Sequence, residues 1–210
     1  MKFNTFKSLS DIAKYYSDKL EANGISPCGV DWNGATSQQL RFEQLTKIIS
    51  VNEQFSLNDL GCGYAALYEY LDLHYKRFLY YGYDISSDMI RAARDLYSSK
   101  ENLKLYHAEK PSETADYGVA SGIFNVRLGY KDADWLKYIK KTLDLMREKS
   151  RYGFSFNCLT TYSDREKMKE YLYYADPCAL FDFCKKRYSK NVSLLHDYDL
   201  YEFTILVKIC

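Results

Sequence analysis

A chain of 210 residues is the size of a single domain and long enough to bury a full core. Its 29 Lys and Arg against 28 Asp and Glu leave a formal net charge of +1, so no global field draws in a polyanion and nucleic acid is not the expected partner. Six cysteines without a CxxC pair or zinc-like His spacing, charges interrupting the apolar residues of the amino terminus, and no apolar run long enough for a bilayer point away from a metal centre, a signal peptide and a membrane, and toward free thiols in the cytoplasm.

Phe6, Leu9, Ile12, Ala13, Tyr16 and Leu20 recur near 3.6-residue spacing and predict a helix over residues 6–22. The stretch NGISPCGVDWNG reads as a loop, and a second helix is expected over residues 37–50. These elements, residues 1–50, form a helical preface to a core over residues 51–210, within one structural domain. From Phe55 the pattern alternates: strand FSLNDL, helix ALYEYLDLHYKRF, strand FLYYGYDI, helix over residues 88–99, strand LKLYHA, strand YGVASGIF, helix over residues 134–148, strand RYGFSFNCL. Strands separated by helix-length segments imply βαβ units and a parallel sheet. The basic run KKRYSK, residues 185–190, follows an apolar helical pattern and reads as a solvated helix end. NVSLLHDY and YEFTILVKI are joined too closely for a crossover, so they predict an antiparallel hairpin closing one edge of the sheet. With 22 Tyr, much of the tyrosine is expected to face water or a ligand.

The chemistry concentrates at NDLGCGYA, residues 58–65. In an open α/β sheet, ligands bind beyond the carboxyl ends of the strands where strand order reverses, and Gly61 and Gly63 lie at such an end. Gly61 to Ala66 also passes as the G-x-G-x-x-G/A fingerprint of a dinucleotide site. Asp59 argues the other way, because a carboxylate there repels pyrophosphate and attracts an ammonium group. S-adenosylmethionine carries an amino-acid end, a sulfonium and no phosphate. Asp84, in GYDIS at the end of the next strand, sits a little beyond the roughly 20-residue spacing of a carboxylate that holds a ribose diol. That feature fits NAD equally well.

In these three places the chain resembles the class I S-adenosylmethionine-dependent methyltransferases. NDLGCGYA looks like that family's D-x-G-x-G-x-G/A signature, GYDIS like its acidic second motif, and DYGVASGIFNV, residues 116–126, like its fourth. The resemblance covers roughly residues 55–210. GVDWNG and SQQLRFEQL before the core, and HDYDLYEFTILV at its end, look more narrowly like small bacterial methyltransferases of undefined substrate. It implies a Rossmann-like α/β fold, mostly parallel, with a C-terminal antiparallel hairpin and helices on both faces. It also implies S-adenosyl-L-methionine as cofactor, with S-adenosyl-L-homocysteine as product.

Carried over by position, the resemblance places Asp59, Gly61, Cys62 and Gly63 at the methionyl end. It gives Asp84 the ribose, Ile85 the adenine face, and Ala108 and Glu109 the adenine edge, with Ser121 also against the cofactor. HAE at residues 107–109 departs from the family's usual acid-plus-small-residue order. Alanine at 65, in place of a third glycine, is expected to narrow the space beside the methionine moiety. Arg41 is a candidate partner for the methionyl carboxylate, with a solvated arginine as the other reading. Cys62 need not be a nucleophile and reads as a small buried hydrophobe.

The acceptor is expected above the fourth and fifth strands, where Asn125, Arg127, Asn157 and Tyr162 offer polar groups. Trp32, with Tyr171, Tyr173, Tyr174 and Phe181, could form an aromatic lid that stacks on a planar acceptor or holds a cationic amine; packing between helices is the competing reading for these rings. His196 lies at the closing hairpin, whose turn can approach the substrate mouth, so it is a further candidate for binding the acceptor, with packing as the competing reading. His107 lies at the adenine side and His74 on a helix, and none of the three is singled out as a general base. The Asn/Asp-Pro-Pro-Tyr motif of amino-directed nucleic-acid methyltransferases is absent after the fourth strand. The expected activity is therefore direct in-line transfer of a methyl group to O or N of a small molecule. An NAD-dependent oxidoreductase and a noncatalytic nucleoside-binding protein of the same fold are the alternatives, and nothing in the pattern fixes an oligomeric state.

Overall fold

A computed structural model describes residues 9–32, 34–50 and 53–209. The first turn of the predicted amino-terminal helix, residues 6–8, the boundary at residue 51 and Cys210 lie outside the described residues.

Among the described residues two α-helices precede the first strand. Helix α1, Ser10–Asn23, ends where Gly24 turns to φ +66° and returns its N–H to the Leu20 carbonyl at 2.8 Å. A short 3-10 turn at Pro27–Val30 follows, and α2 spans Ala35–Thr46. The core then runs β1 (Phe55–Leu60), α3 (Ala66–His74), β2 (Phe78–Asp84), α4 (Ser87–Leu96), β3 (Leu103–His107), β4 (Ala115–Ala120), α5 (Asp132–Glu148), β5 (Ser150–Leu159), α6 (Pro177–Arg187), β6 (Asn191–Leu195) and β7 (Glu202–Lys208). Local chemistry explains several ends. The Ser86 hydroxyl accepts the Met89 N–H to cap α4. Asp176 accepts the Ala179 N–H to cap α6, with Pro177 in the first turn. The fourth strand is shorter than YGVASGIF suggests, because the chain turns away at Gly122, whose φ is +76°.

The seven strands lie in the order β3-β2-β1-β4-β5-β7-β6. Every residue of β1 is buried, as the central strand of a parallel sheet requires. From β1 the chain steps outward through β2 to β3, then crosses back to β4 on the opposite side, so strand order reverses between β1 and β4. The closing hairpin pairs antiparallel, but β7 inserts beside β5 and β6 forms the edge. Helix α6 crosses from β5 to β6, so β6 runs parallel to β5 and β7 is the antiparallel strand. One apolar cluster joins Ile139, Leu143, Phe154, Phe156 and Leu180 under α5 and α6; the other joins Leu45, Leu57, Leu67, Tyr80 and Ile90 under α2, α3 and α4.

Most tyrosines keep some exposure, as expected, but a minority form part of the core. Tyr68, Tyr80, Tyr83 and Tyr117 are fully buried in the core. Their hydroxyls remain paired: Tyr68 donates to Asn102 at 2.9 Å, Tyr80 donates to Asp59 at 2.5 Å, and Tyr83 and Tyr117 accept the N–H groups of Glu113 and Ser50. A large ring with a satisfied polar tip is a favourable core residue, which lets this chain carry so many.

Candidate active site

The reversal between β1 and β4 sets the cavity, and the turn after β1 shapes its floor. Gly61, at φ +75°, and Cys62 both donate their N–H to the Tyr83 carbonyl, at 2.7 and 3.0 Å, which ties the glycine turn to the end of β2. Gly63, at φ +55°, donates its N–H to Asp84 Oδ2 at 2.8 Å. The Ser86 N–H donates to Asp84 Oδ1, also at 2.8 Å. Each carboxylate oxygen thus holds one backbone donor and keeps lone-pair capacity for another. Ala65 is also left-handed, at φ +64°, and is fully buried in the core rather than in the cavity wall. The expectation that its methyl narrows the ligand space is therefore corrected: the third glycine of the signature serves the backbone angle, and alanine bears a cost of about 1 kcal/mol there.

Asp59 and Asp84 are 2 % and 9 % exposed. Burial pushes Asp59 up to about 7, against the pull of the Tyr80 hydroxyl, and the neighbouring Asp84 adds to the rise. Burial also raises Asp84, opposed by the N–H groups of Ser86 and Gly63 and by His107. Two buried acids without a cationic partner among the described residues suit a ligand that brings hydroxyl donors and a positive charge.

The cavity lies between the strand ends and the preface and, counting the space at its open mouth, spans about 950 Å³. In sheet order its floor carries Ala108 and Glu109 after β3, Asp84 and Ile85 at the end of β2, Asp59, Gly61, Cys62 and Gly63 at the end of β1, and Ser121 to Ile123 after β4. Leu9 at the cap of α1 and Ile12 and Tyr16 within it roof the cavity together with Val30 and Trp32. The Ser121 hydroxyl is buried without a hydrogen-bond partner among the described residues. An orphaned donor in the wall, two acids in the floor and backbone bared at Gly63 fit a polar, cationic nucleoside such as S-adenosylmethionine.

Ten sequence-predicted site residues thus meet in one cavity: Asp59, Gly61, Cys62, Gly63, Asp84, Ile85, Ala108, Glu109, Ser121 and Trp32. The others lie elsewhere. Arg41 is buried in a two-pronged ion pair with Glu202, at 2.9 and 2.7 Å, so its charge is already spent. Asn125 is a strut, its Oδ1 accepting the Leu159 N–H. Asn157 is fully buried behind the wall, accepting the Gly122 N–H at 2.7 Å and donating to Glu202 at 2.8 Å. Arg127 pairs with Asp132 and donates to the Leu128 and Tyr130 carbonyls. Tyr162 is 69 % exposed, its ring near His196 on the outer surface. His107 lies within hydrogen-bond distance of the Ile85 carbonyl, and His74 of the Tyr70 carbonyl. Of the expected aromatic lid only Trp32 reaches the cavity; Tyr171, Tyr173, Tyr174 and Phe181 do not line it.

Among the lining residues that escaped sequence reasoning are Tyr16, Gln38, Tyr64 and Tyr138. Gln38 precedes Arg41 by one helical turn and donates to the Tyr64 hydroxyl at 3.4 Å. The signal for Tyr64 was its place inside the glycine loop. Burial pushes the Tyr138 phenol up to about 12 and also raises that of Tyr16.

No family model matches the chain. A protein of Mycobacterium tuberculosis named "Putative methyltransferase Rv1506c" is 56% identical over 162 residues, 77% of this chain and 98% of that protein. Among solved structures, the fold is shared with magnesium protoporphyrin IX methyltransferase from Synechocystis PCC 6803 with bound S-adenosylmethionine (TM-score 0.68, 10% identity, all of both chains). It is also shared with the N-methyltransferase NodS from Bradyrhizobium japonicum WM9 in complex with S-adenosylhomocysteine (TM-score 0.66, 11% identity, 94% of this chain and 97% of that one). A DhpI complex with S-adenosylmethionine aligns over 97% of this chain and 99% of its own, with TM-score 0.66 and 12% identity. At such identities the structures speak for the fold.

Proposed function

The chain belongs to the class I S-adenosylmethionine-dependent methyltransferases, and from that premise we propose that it moves a methyl group onto an O or N atom of a small molecule in the cytoplasm. The observation that carries this reading is the Asp84 carboxylate, braced by the Gly63 and Ser86 N–H groups and facing the cavity at the switch point of the sheet. Asp84 takes the ribose hydroxyls, Ile85, Ala108 and Glu109 flank the adenine, and Asp59 with Gly61, Cys62 and Gly63 receives the amino-acid end. Gln38 and Tyr64 supply donors for its carboxylate in place of Arg41, and Ser121 hydrogen-bonds beside them.

Bound S-adenosylmethionine supplies a methyl group already activated by a sulfonium, so direct in-line displacement needs alignment and dryness more than a strong base. The lining supports this division of labour. Among the described residues it holds no Lys, Arg or His. At neutral pH Tyr16 and Tyr138 keep their protons, so they donate hydrogen bonds and do not act as bases. The acceptor therefore arrives as a neutral amine or an acidic hydroxyl. The roof of α1 keeps water from the reacting atoms.

The test is an acceptor screen with methyl-labelled S-adenosylmethionine against neutral amines, phenols, duplex DNA and RNA. Label in a small-molecule product, with equal S-adenosylhomocysteine released, is the expected result. Label found only in nucleic acid, or retained on the cofactor with every acceptor, would overturn the proposal.

A further inference from the structure

Five side chains and backbone groups behind the β4 wall close a circuit. Arg41 Nε and Nη2 donate to the two carboxylate oxygens of Glu202. Asn157 Nδ2 donates to the same carboxylate, and its Oδ1 accepts the Gly122 N–H. Gly122 in turn carries the edge of Trp32: a Cβ built there would lie 2.4 Å from the indole Cη2. The Arg41 guanidinium stacks 4.0 Å from the indole centroid, which returns the circuit to its start.

A fully buried ion pair is an expensive way to stabilise a fold, since apolar residues of similar volume commonly do as well; its best-attested use is to fix register. Here the element registered is Trp32, the aromatic wall of the cavity beside Ser121 and Ile123. Among the described lining residues the charged groups are Asp59, Asp84 and Glu109, all on the side assigned to the cofactor. The guanidinium behind the indole is neutralised by Glu202. A charged acceptor entering this side would lose its hydration without gaining a partner.

Building on the methyltransferase reading, we propose that Arg41, Glu202 and Asn157 are positioning residues that lock Trp32 as the platform for a planar, uncharged acceptor. The platform presents a flat π face, and the relay keeps its edge seated on Gly122.

The probes are 1-naphthol as a planar neutral ligand, and benzoate and benzylamine as charged ones, titrated calorimetrically into the complex with S-adenosylhomocysteine. Wild type is expected to take 1-naphthol about tenfold more tightly than either charged probe, a difference of about 1.4 kcal/mol. Glu202→Gln and Trp32→Ala are each expected to weaken 1-naphthol about tenfold while S-adenosylhomocysteine affinity moves less than about twofold. Arg41→Lys preserves the charge but loses the flat stack, so it guards against a misfolded Glu202→Gln. In that variant acrylamide should quench Trp32 more strongly, read as the difference from the matching Trp32→Phe protein. Equal losses for 1-naphthol and S-adenosylhomocysteine, unchanged quenching, or tighter binding of a charged probe would each overturn the platform. S-adenosylhomocysteine binding without 1-naphthol binding overturns the platform alone, whereas no S-adenosylhomocysteine binding to wild type overturns the methyltransferase reading and the platform with it.

Discussion

The two sides of the cavity are built from different distances along the chain. On the β1–β2 side, a short glycine turn and one aspartate organise each other through backbone hydrogen bonds, with Gly63 and Asp84 only 21 residues apart. On the β4–β5–β7 side, the wall depends on Arg41 meeting Glu202 across 161 residues and on Asn157 meeting Glu202 across 45. The first arrangement is a property of a loop and the strand beside it. The second exists only once β7 has inserted next to β5 and brought Glu202 under α2. Ligand chemistry written in backbone is local, whereas a wall written in side-chain charges requires the finished sheet.

The contrast breaks most visibly at the buried ion pair. Glu202→Ala leaves the Arg41 guanidinium buried and unpaired, and is expected to cost about 3–5 kcal/mol of stability in urea denaturation. A loss below about 1 kcal/mol would mean the pair is solvated in solution. Next comes the glycine turn, where Gly61→Ala places a methyl 2.0 Å from Ile123 Cγ2 at a left-handed φ of +75°. An expected cost of about 1–3 kcal/mol would appear as a melting temperature lower by several degrees, by about 2–4 °C per kcal/mol. An unchanged melting temperature would show that the turn can relax.

The first side was legible in the sequence because its parts sit close together with diagnostic residue types. The order of acid, Gly61, Gly63 and second acid named both the strand end and the ligand chemistry, and the parallel βαβ core followed from the same alternation. Arg41 shows where such reading stops. Its charge and helical position suit a carboxylate partner, and the partner it has is Glu202 rather than a ligand. Asn125 and Asn157 likewise sit at the right strand ends but turn their amides into the scaffold. Most tyrosines do face water or the cavity, as expected, but no local pattern marked the ones that do not: Tyr80 donates its hydroxyl to Asp59 inside the core. Partners across distant strands leave no local pattern, so burial of a polar group cannot be told from its spacing.

Electrostatics sharpens the contrast further. Because burial holds Asp59 at about 7 when folded, well above the ordinary aspartate value near 3.9, the unfolded chain gives up this proton first. Its contribution to stability therefore declines as pH rises from about 4 to about 7 and is level above. A ligand ammonium favours the ionised form, so S-adenosylhomocysteine affinity should climb by up to about tenfold per pH unit below 7 and flatten above it. Asp59→Asn should remove that slope; a slope that persists would place the titrating group elsewhere. The smallest effect belongs to Ser121→Ala. Its hydroxyl has no partner to lose among the described residues, so stability should hold while cofactor affinity falls only a few-fold, equivalent to about 0.5–1.5 kcal/mol. A loss of stability with intact affinity would reverse that assignment.

The most direct measurement is a calorimetric titration of the purified wild-type and Asp84→Ala proteins with S-adenosylhomocysteine, alongside circular dichroism to verify that both are folded. Micromolar-range binding by the wild type, weakened about a hundredfold or more in a folded Asp84→Ala protein, is the predicted result, matching two lost hydrogen bonds to a charged group. Undiminished binding in that variant would contradict the claim that the braced carboxylate at the end of β2 holds the cofactor.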